Sequence, residues 1–393
     1  MHGTLTCLVR VTGKCWKAPG IHTFAYHGMR RAPCMFTMLP NKAHAERKRM
    51  LGSVYSKSYV LNSPTLEKIS ENVISRHFIA EVHAWARDGA IVDVLEKNKA
   101  CLMDLTTAWL YGLSNGTNFL RDSAAAKQFF TVFQKSIAGS FWRSGFHTTT
   151  KFLSLIGIHL VPRATKPSRR VLERWTSTLC DAAFNTMAQQ TSANGGTDPT
   201  DHPVVYSQLR QSLERSDVRS EDMNGVLCVE LLDHVVASHD VTGVTLTWIM
   251  YELSQRPSWQ SALRRELIES AAHDSVPVAH RIDSLPLLDA IMMETMRLRS
   301  ANPGPWPRRT PARGCRIGRF ADIPSGTVVS ASTYTLHRNA AVFPEPEQWR
   351  PERWLNASTE QRKEMMRWFW AFGSGARICT GNHFAIYSKS RLQ

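Results

Sequence analysis

Apolar positions recur at helical spacing along most of this chain. A basic helix opens at Lys42 and runs through Leu51. Helices with one apolar face are predicted over 64–85, 90–112, 124–139 and 166–190. Residues 141–160 are rich in Phe, Trp, Leu and Ile, which suits either a pocket wall or plain core. The polar, Gly/Pro-rich stretch from Ser192 to Pro203 reads as a loop. The strongest helix spans about Met223–Ser254 and stops before Pro257. Val226, Leu231, Val235 and Ile249 make it apolar on nearly every side, as expected of a helix through the middle of a large domain. Ser238, His239, Asp240 and Thr242 break that rule at its centre. Helices over 258–270 and 284–299 follow, the second with Asp283-Ser284 as its cap and Pro286 in its first turn. Beyond Asn302, Pro303, Gly304, Pro305 and Pro307 forbid helix. Residues 313–333 hold two short strands around Ile323-Pro324-Ser325-Gly326. The pattern predicts a mainly α fold with a small β part, in a single large domain without internal repeats.

Composition narrows the class. With 43% hydrophobic and 21% charged residues over 393 positions, the chain is neither disordered, nor collagenous, nor a coiled coil. Twelve Trp call for an apolar cavity, a membrane-facing edge or a dense core. The net charge of +15 is unevenly spread: residues 1–60 carry ten Lys+Arg against one acid, Glu46. Residues 1–35 read as an irregular basic leader. The rest has no comb of basic residues interleaved with stacking aromatics, so no nucleic-acid footprint is expected. An acidic protein partner or an anionic membrane surface suits the charge better. The eight Cys are scattered with no zinc spacing, which points to a reducing, intracellular setting. No apolar run approaches the roughly 18 residues of a membrane span.

The sharpest motif is Phe372-Gly-Ser-Gly375-Ala-Arg377-Ile-Cys379-Thr-Gly381. It resembles the signature loop of the heme-thiolate monooxygenases, the cytochrome P-450 superfamily, at all five fixed positions. Heme iron that must cleave O–O needs a strong electron donor, and a Cys thiolate is one. The resemblance makes Cys379 the axial ligand of heme b (iron protoporphyrin IX). Phe372 would shield the sulfur side, Arg377 would pair with a propionate, and Gly375 and Gly381 would let the backbone turn close by. A helix beginning just after Cys379 would add its positive end.

Further matches follow in the family's order. Glu294 and Arg297 form Glu-x-x-Arg on one helix face, and Arg353 lies in a Pro-Glu-Arg segment. By resemblance these three are structural. Pro307-Arg308 resembles the family's other propionate arginine, with Arg309 as an adjacent competitor. Asn302 to Trp306 looks like the segment that passes over the heme and touches substrate, and His337-Arg338-Asn339 matches the text after the second strand. His44 and Lys48, four apart on a helix, look like the family's paired propionate donors, Trp and Arg, in altered form.

On the central helix, Ala237 would leave room for oxygen and Asp240 matches the acid that relays protons. The usual hydroxyl position holds Val241, and Thr242 is turned about 100° away. A water anchored by Ser238 or a substrate hydroxyl could complete the relay, coupling could be poor, or the chemistry could need no second ordered proton.

The resemblance covers 36–393 and reads most like fungal members that tailor secondary metabolites. It implies a monooxygenase that inserts one atom of O2 into an apolar small molecule. Electrons would come from an NADPH-dependent flavin reductase docked near Lys363, Arg367, Lys389 and Arg391. The family setting is the cytosolic face of the endoplasmic reticulum, yet no anchor or early strands are readable before residue 36. Fourteen residues follow Cys379, short of the family's usual helix and closing hairpin, so truncation at both ends is expected. The rival reading is a non-catalytic heme-binding relic or gene-model fragment.

Overall fold

The computed structural model describes residues 33–192, 198–271 and 278–391. Residues 1–32, most of the expected leader, lie outside the described residues. The leader's last residues do not follow the irregular pattern. Cys34 and Met35 are buried, and Met35–Thr37 form one 3-10 turn. The described residues divide into two compact units, one of 33–56 and 63–239, the other of 57–62 and 240–391.

In the first unit the helical period is realised as expected, with shifted ends. Helices span Asn41–Leu51, Val94–Tyr111, Ser123–Ile137 and Thr165–Ser192. Asp93 and Asp122 cap two of them by accepting from Glu96 N and Ala125 N. The stretch Pro64–Asp88 is helical throughout, with a π segment at Glu71–Phe78. A helix at Val204–Glu214, beyond the polar loop, was not anticipated.

The helix Ser220–Ala237 is buried on all sides, and Glu230 is the exception to its apolar girth. That carboxylate has no exposed surface. It accepts from Arg47 Nη1 at 2.8 Å and from the Met35 amide at 3.0 Å, which ties the start of the described chain to the helix. Removing one member would strand a buried charge, at a cost of about 3–5 kcal/mol.

The same helix continues as a π turn, Ser238–Thr242, and then as Gly243–Ser254, ending before Pro257 as predicted. In the second unit, Pro257–Ala271 and Pro286–Leu298 follow. The expected Asp283-Ser284 cap is not made. Asp283 instead ends the short helix Val278–Asp283 and pairs with Lys57 at 2.7 Å. The first-turn amides of Leu287 and Leu288 donate to Glu266, at 2.8 and 3.1 Å. A carboxylate from a neighbouring helix satisfies donors that a local cap would otherwise serve.

The β part is larger than the two strands expected. Pro305–Arg309 pairs antiparallel with Val328–Ser332, and Cys315–Ile317 pairs with Phe320–Ile323. Prolines forbid helix at Pro305 and Pro307 but not strand. They alternate, so their missing N–H groups fall on the edge away from Val328–Ser332.

Tryptophan dominates the core of this unit. Trp349, Trp354, Trp368 and Trp370 are buried with Met292, Met296, Ile291 and Phe343. Of the options raised by the Trp content, dense core accounts for these four.

Candidate active site

The site is built on that Trp-rich core. Glu294 and Arg297 lie one turn apart on Pro286–Leu298, and neither side chain has exposed surface. The pair is bidentate: Arg297 Nε and Nη2 each donate to a Glu294 oxygen at 2.8 Å. Arg297 also donates to the carbonyls of His337, Pro346 and Gln348, so each of its five N–H groups has an acceptor. Glu294 further accepts from Arg353 Nε, Trp354 Nε1 and the Arg350 amide. Burial works to raise the Glu294 carboxyl, but Arg297, Arg353 and that amide outweigh it and hold it below its ordinary value. Sequence resemblance had named the two arginines. It missed Trp354 and the Arg350 amide, which no spacing rule could have revealed.

His337 links this knot to the cysteine loop. Its Nδ1 donates to Arg297 O at 2.9 Å, and its Nε2 accepts from the Trp370 amide at 2.8 Å. Those partners require the neutral ring, and burial pushes its pKa down to about 3. The ring also stacks on Phe369 at 5.2 Å. The matched text His337-Arg338-Asn339 therefore has a physical role: its first residue fixes where the loop begins.

The loop itself is closed by backbone. The Cys379 amide donates to Phe372 O at 2.9 Å, and Ile378 N to Gly375 O at 3.0 Å. Gly373 and Gly375 sit at φ of 74° and 70°, in the left-handed region where a side chain is strained. Gly373 was not singled out by the motif. A Cβ on Gly381 would meet no protein atom within 4 Å, so no protein neighbour demands glycine there. The helix Asn382–Arg391 begins just past Cys379 and turns its positive end toward it.

Among the described cysteines, four are buried, Cys315 is intermediate and Cys379 is exposed. A structural cysteine is normally buried and inert, so Cys379 stands apart.

Arg308 is buried and Arg309 exposed, which separates the two competitors. Arg309 Nη1 donates to Gly326 O, while Arg308 Nη1 donates to Pro307 O. Burial lowers Arg377 to about 10, and the neighbouring Arg308 cation lowers it further. Two half-desolvated guanidiniums thus lie close enough to repel. That donor set suits a ligand carrying two carboxylates.

Some predicted residues do not act as foreseen. Lys389 is not on an outer basic face. It is 2% exposed, and its Nζ donates to Met296 Sδ at 3.3 Å. Lys363 and Arg367 are exposed, on the capped helix Thr359–Trp368. Thr242 is buried, at 3% exposure, whereas Ala237 and Val241, four apart on the same helix, are exposed. Asp240 is half-buried. Ser238 Oγ lies 2.6 Å from Thr106 Oγ1, so a neighbouring hydroxyl occupies the group expected to anchor water. His44 is buried and Lys48 half-buried on Asn41–Leu51, in the first unit, whereas Arg308, Arg377 and Cys379 lie in the second.

A sequence model described as Cytochrome P450 matches residues 166–388. The chain belongs to the cytochrome P450 family. A cytochrome P450 monooxygenase of Aspergillus versicolor, avaI, is 28% identical over 372 residues, covering 92% of this chain and 82% of the relative. The P450 monooxygenase FGM1 of Gibberella zeae is 25% identical, covering 92% of this chain and 69% of its own. The crystal structure of the cytochrome P450DA heme domain shares the fold, with a TM-score of 0.70 over 99% of this chain and 78% of that one, at 16% identity. The protein is a heme-dependent monooxygenase of mainly α P450 fold, its cofactor is heme b, and it acts on a small molecule with O2. Matches of this extent do not favour a non-catalytic relic. The exposed Cys379 and the paired arginines of this P450 fit that cofactor, which offers an iron for a thiolate and two propionates for two cations.

Proposed function

We propose that Cys379 is the axial thiolate of the heme, with Arg308 and Arg377 holding its propionates and Phe372 covering the sulfur side. The observation that carries this reading is one exposed thiol at the head of a helix, in a loop fixed from beneath by His337 and the Glu294 knot. Glu294, Arg297 and Arg353 are structural. They set the loop's position and do not touch substrate. His44 and Lys48 are proposed as further propionate donors.

Bound heme supplies the redox chemistry: two electrons reduce O2, one oxygen atom enters the substrate and the other leaves as water. The chain's own residues handle protons and access. Ala237 keeps its helix face free of bulk, and Asp240 is the proton donor beside it. Thr242, on the buried side, is not proposed to take part. Val241 has nearly the shape of Thr but no hydroxyl, and Ser238 is bonded to Thr106. The relay therefore depends on water or on a hydroxyl of the substrate. Val241→Thr is expected to lower peroxide released per NADPH consumed severalfold and to raise product formed. If neither quantity moves, the side chain at 241 has no part in proton delivery.

The substrate is proposed to be an apolar intermediate of fungal secondary metabolism, in keeping with the fungal relatives. The electron donor is proposed to be an NADPH-dependent flavin reductase with an acidic face, docking at the exposed Lys363 and Arg367. Adding such a reductase, NADPH and O2 to the heme-loaded chain should give steady NADPH consumption that falls with salt. Consumption that is insensitive to salt and to Lys363→Glu contradicts this docking site.

An anionic membrane surface is proposed as a second partner. Residues 123–172 carry eight Lys+Arg and no acid. Within them Phe141, Trp142 and Phe146 form an exposed aromatic cluster with ring centroids 5.2–5.7 Å apart. Phe152, Leu155 and Ile156 are exposed close by. Each basic residue near such a surface contributes about 1 kcal/mol. Among the described residues no helix is long and apolar enough to cross a membrane. Sedimentation with phosphatidylserine vesicles is expected to carry the protein down, and Phe141→Asp with Phe152→Asp to abolish this. Equal recovery with neutral vesicles would contradict it.

A further inference from the structure

Lys389 is a buried cation that nothing in the mechanism above employs. It is 2% exposed, in the helix Asn382–Arg391. An isolated ammonium in such a place is costly and normally has a carboxylate partner. Here no carboxylate lies within ion-pair distance of Nζ among the described residues. The one hydrogen-bond acceptor it reaches there is Met296 Sδ, a weak one, at 3.3 Å. Its Nζ also sits 5.3 Å from the centroid of the Phe372 ring. Phe372 is the residue whose carbonyl receives the Cys379 amide. Lys389 is therefore packed against the inner wall of the cysteine loop, next to a thiol that must ionise. The Cys379 charge is felt there, since it works to raise Lys389 against the lowering effect of burial.

We propose that Lys389 is the counter-charge of the Cys379 thiolate, a positioning residue that favours the thiolate over the thiol and makes the heme easier to reduce. The reasoning is electrostatic. Reduction of the ferric site adds one negative charge, and ionisation of the thiol adds another. A fixed cation across a water-free ring stabilises both products, and low local dielectric strengthens the effect. The Met296 thioether and the Phe372 face hold the ammonium without neutralising it, which leaves its charge for the sulfur. This inference rests on Cys379 being the heme ligand.

The test compares the full chain, loaded with heme, with Lys389→Met, which fills the same space without charge, and Lys389→Arg, which keeps the charge. The unsubstituted chain must first give a thiolate-type Soret band when reduced under carbon monoxide. If it does not, the ligand reading fails, and this inference with it. Given that band, the ferric/ferrous equilibrium is measured against a reference dye. Lys389→Met is expected to shift it three- to tenfold toward ferric, a tenfold shift being about 59 mV for one electron. It is also expected to raise the share of thiol-type carbon monoxide complex. Lys389→Arg should keep the equilibrium within twofold. An unchanged equilibrium in Lys389→Met overturns the proposal while leaving the ligand reading intact, and so does an equal shift in Met and Arg. If Lys389→Met does not take up heme, Lys389→Gln carries the same comparison with the same outcomes.

Discussion

Glu294→Gln is expected to be the most damaging single substitution away from the heme ligand. Glutamine keeps the shape but removes the charge that faces two buried arginines. Five donors converge on the carboxylate: Arg297 Nε and Nη2, Arg353 Nε, Trp354 Nε1 and the Arg350 amide. An amide can accept at one oxygen only, and its NH2 would confront N–H groups. Breaking a buried pair in this way costs about 3–5 kcal/mol, a large part of the roughly 5–15 kcal/mol that holds a domain folded. The loss should appear as a lower denaturant midpoint and poor heme uptake. Because His337 carries the strain to Trp370, the heme that does bind should show more of the thiol-type carbon monoxide complex. A midpoint equal to that of the unsubstituted chain would mean the knot is not what positions the loop.

The second large effect is at Cys379 itself. Cys379→Ala removes the donor that pushes electron density to the iron, and leaves the loop's backbone bonds in place. Folding should change little, since the thiol is exposed and buries little surface. Oxygenation should fall by about a thousandfold or more, equivalent to about 4 kcal/mol of barrier. The two variants thus fail differently. Glu294→Gln loses stability first and spectrum second, whereas Cys379→Ala loses its spectrum and turnover while staying folded. A stability loss at Cys379 as large as at Glu294 would contradict this division.

The cysteine loop was legible in the chain because its chemistry sits within ten consecutive residues, Phe372 to Gly381. Local spacing suffices for a turn, a ligand and a helix start. The Glu294 knot was legible only in part. Arg297 shares its helix, but Arg353, Trp354 and the carbonyl of Pro346 arrive from distant segments. Misreadings share one cause, which is that burial is not written locally. Lys389 was read as outward because lysines usually are, and Thr242 as near the relay because it adjoins Val241. Glu230 inside an apolar helix was a visible signal that Arg47, and not only His44 and Lys48, would face inward. The Glu266 cap on Leu287 and Leu288 shows the same limit at a helix end.

The claim everything else depends on is that Cys379 binds heme as a thiolate. Its direct measurement is the carbon monoxide difference spectrum of the reduced, heme-loaded chain, recorded beside Cys379→Ala. The account predicts a red-shifted, thiolate-type Soret band that Cys379→Ala lacks. Absence of heme uptake by the unsubstituted chain, or a spectrum that Cys379→Ala leaves unchanged, would contradict it.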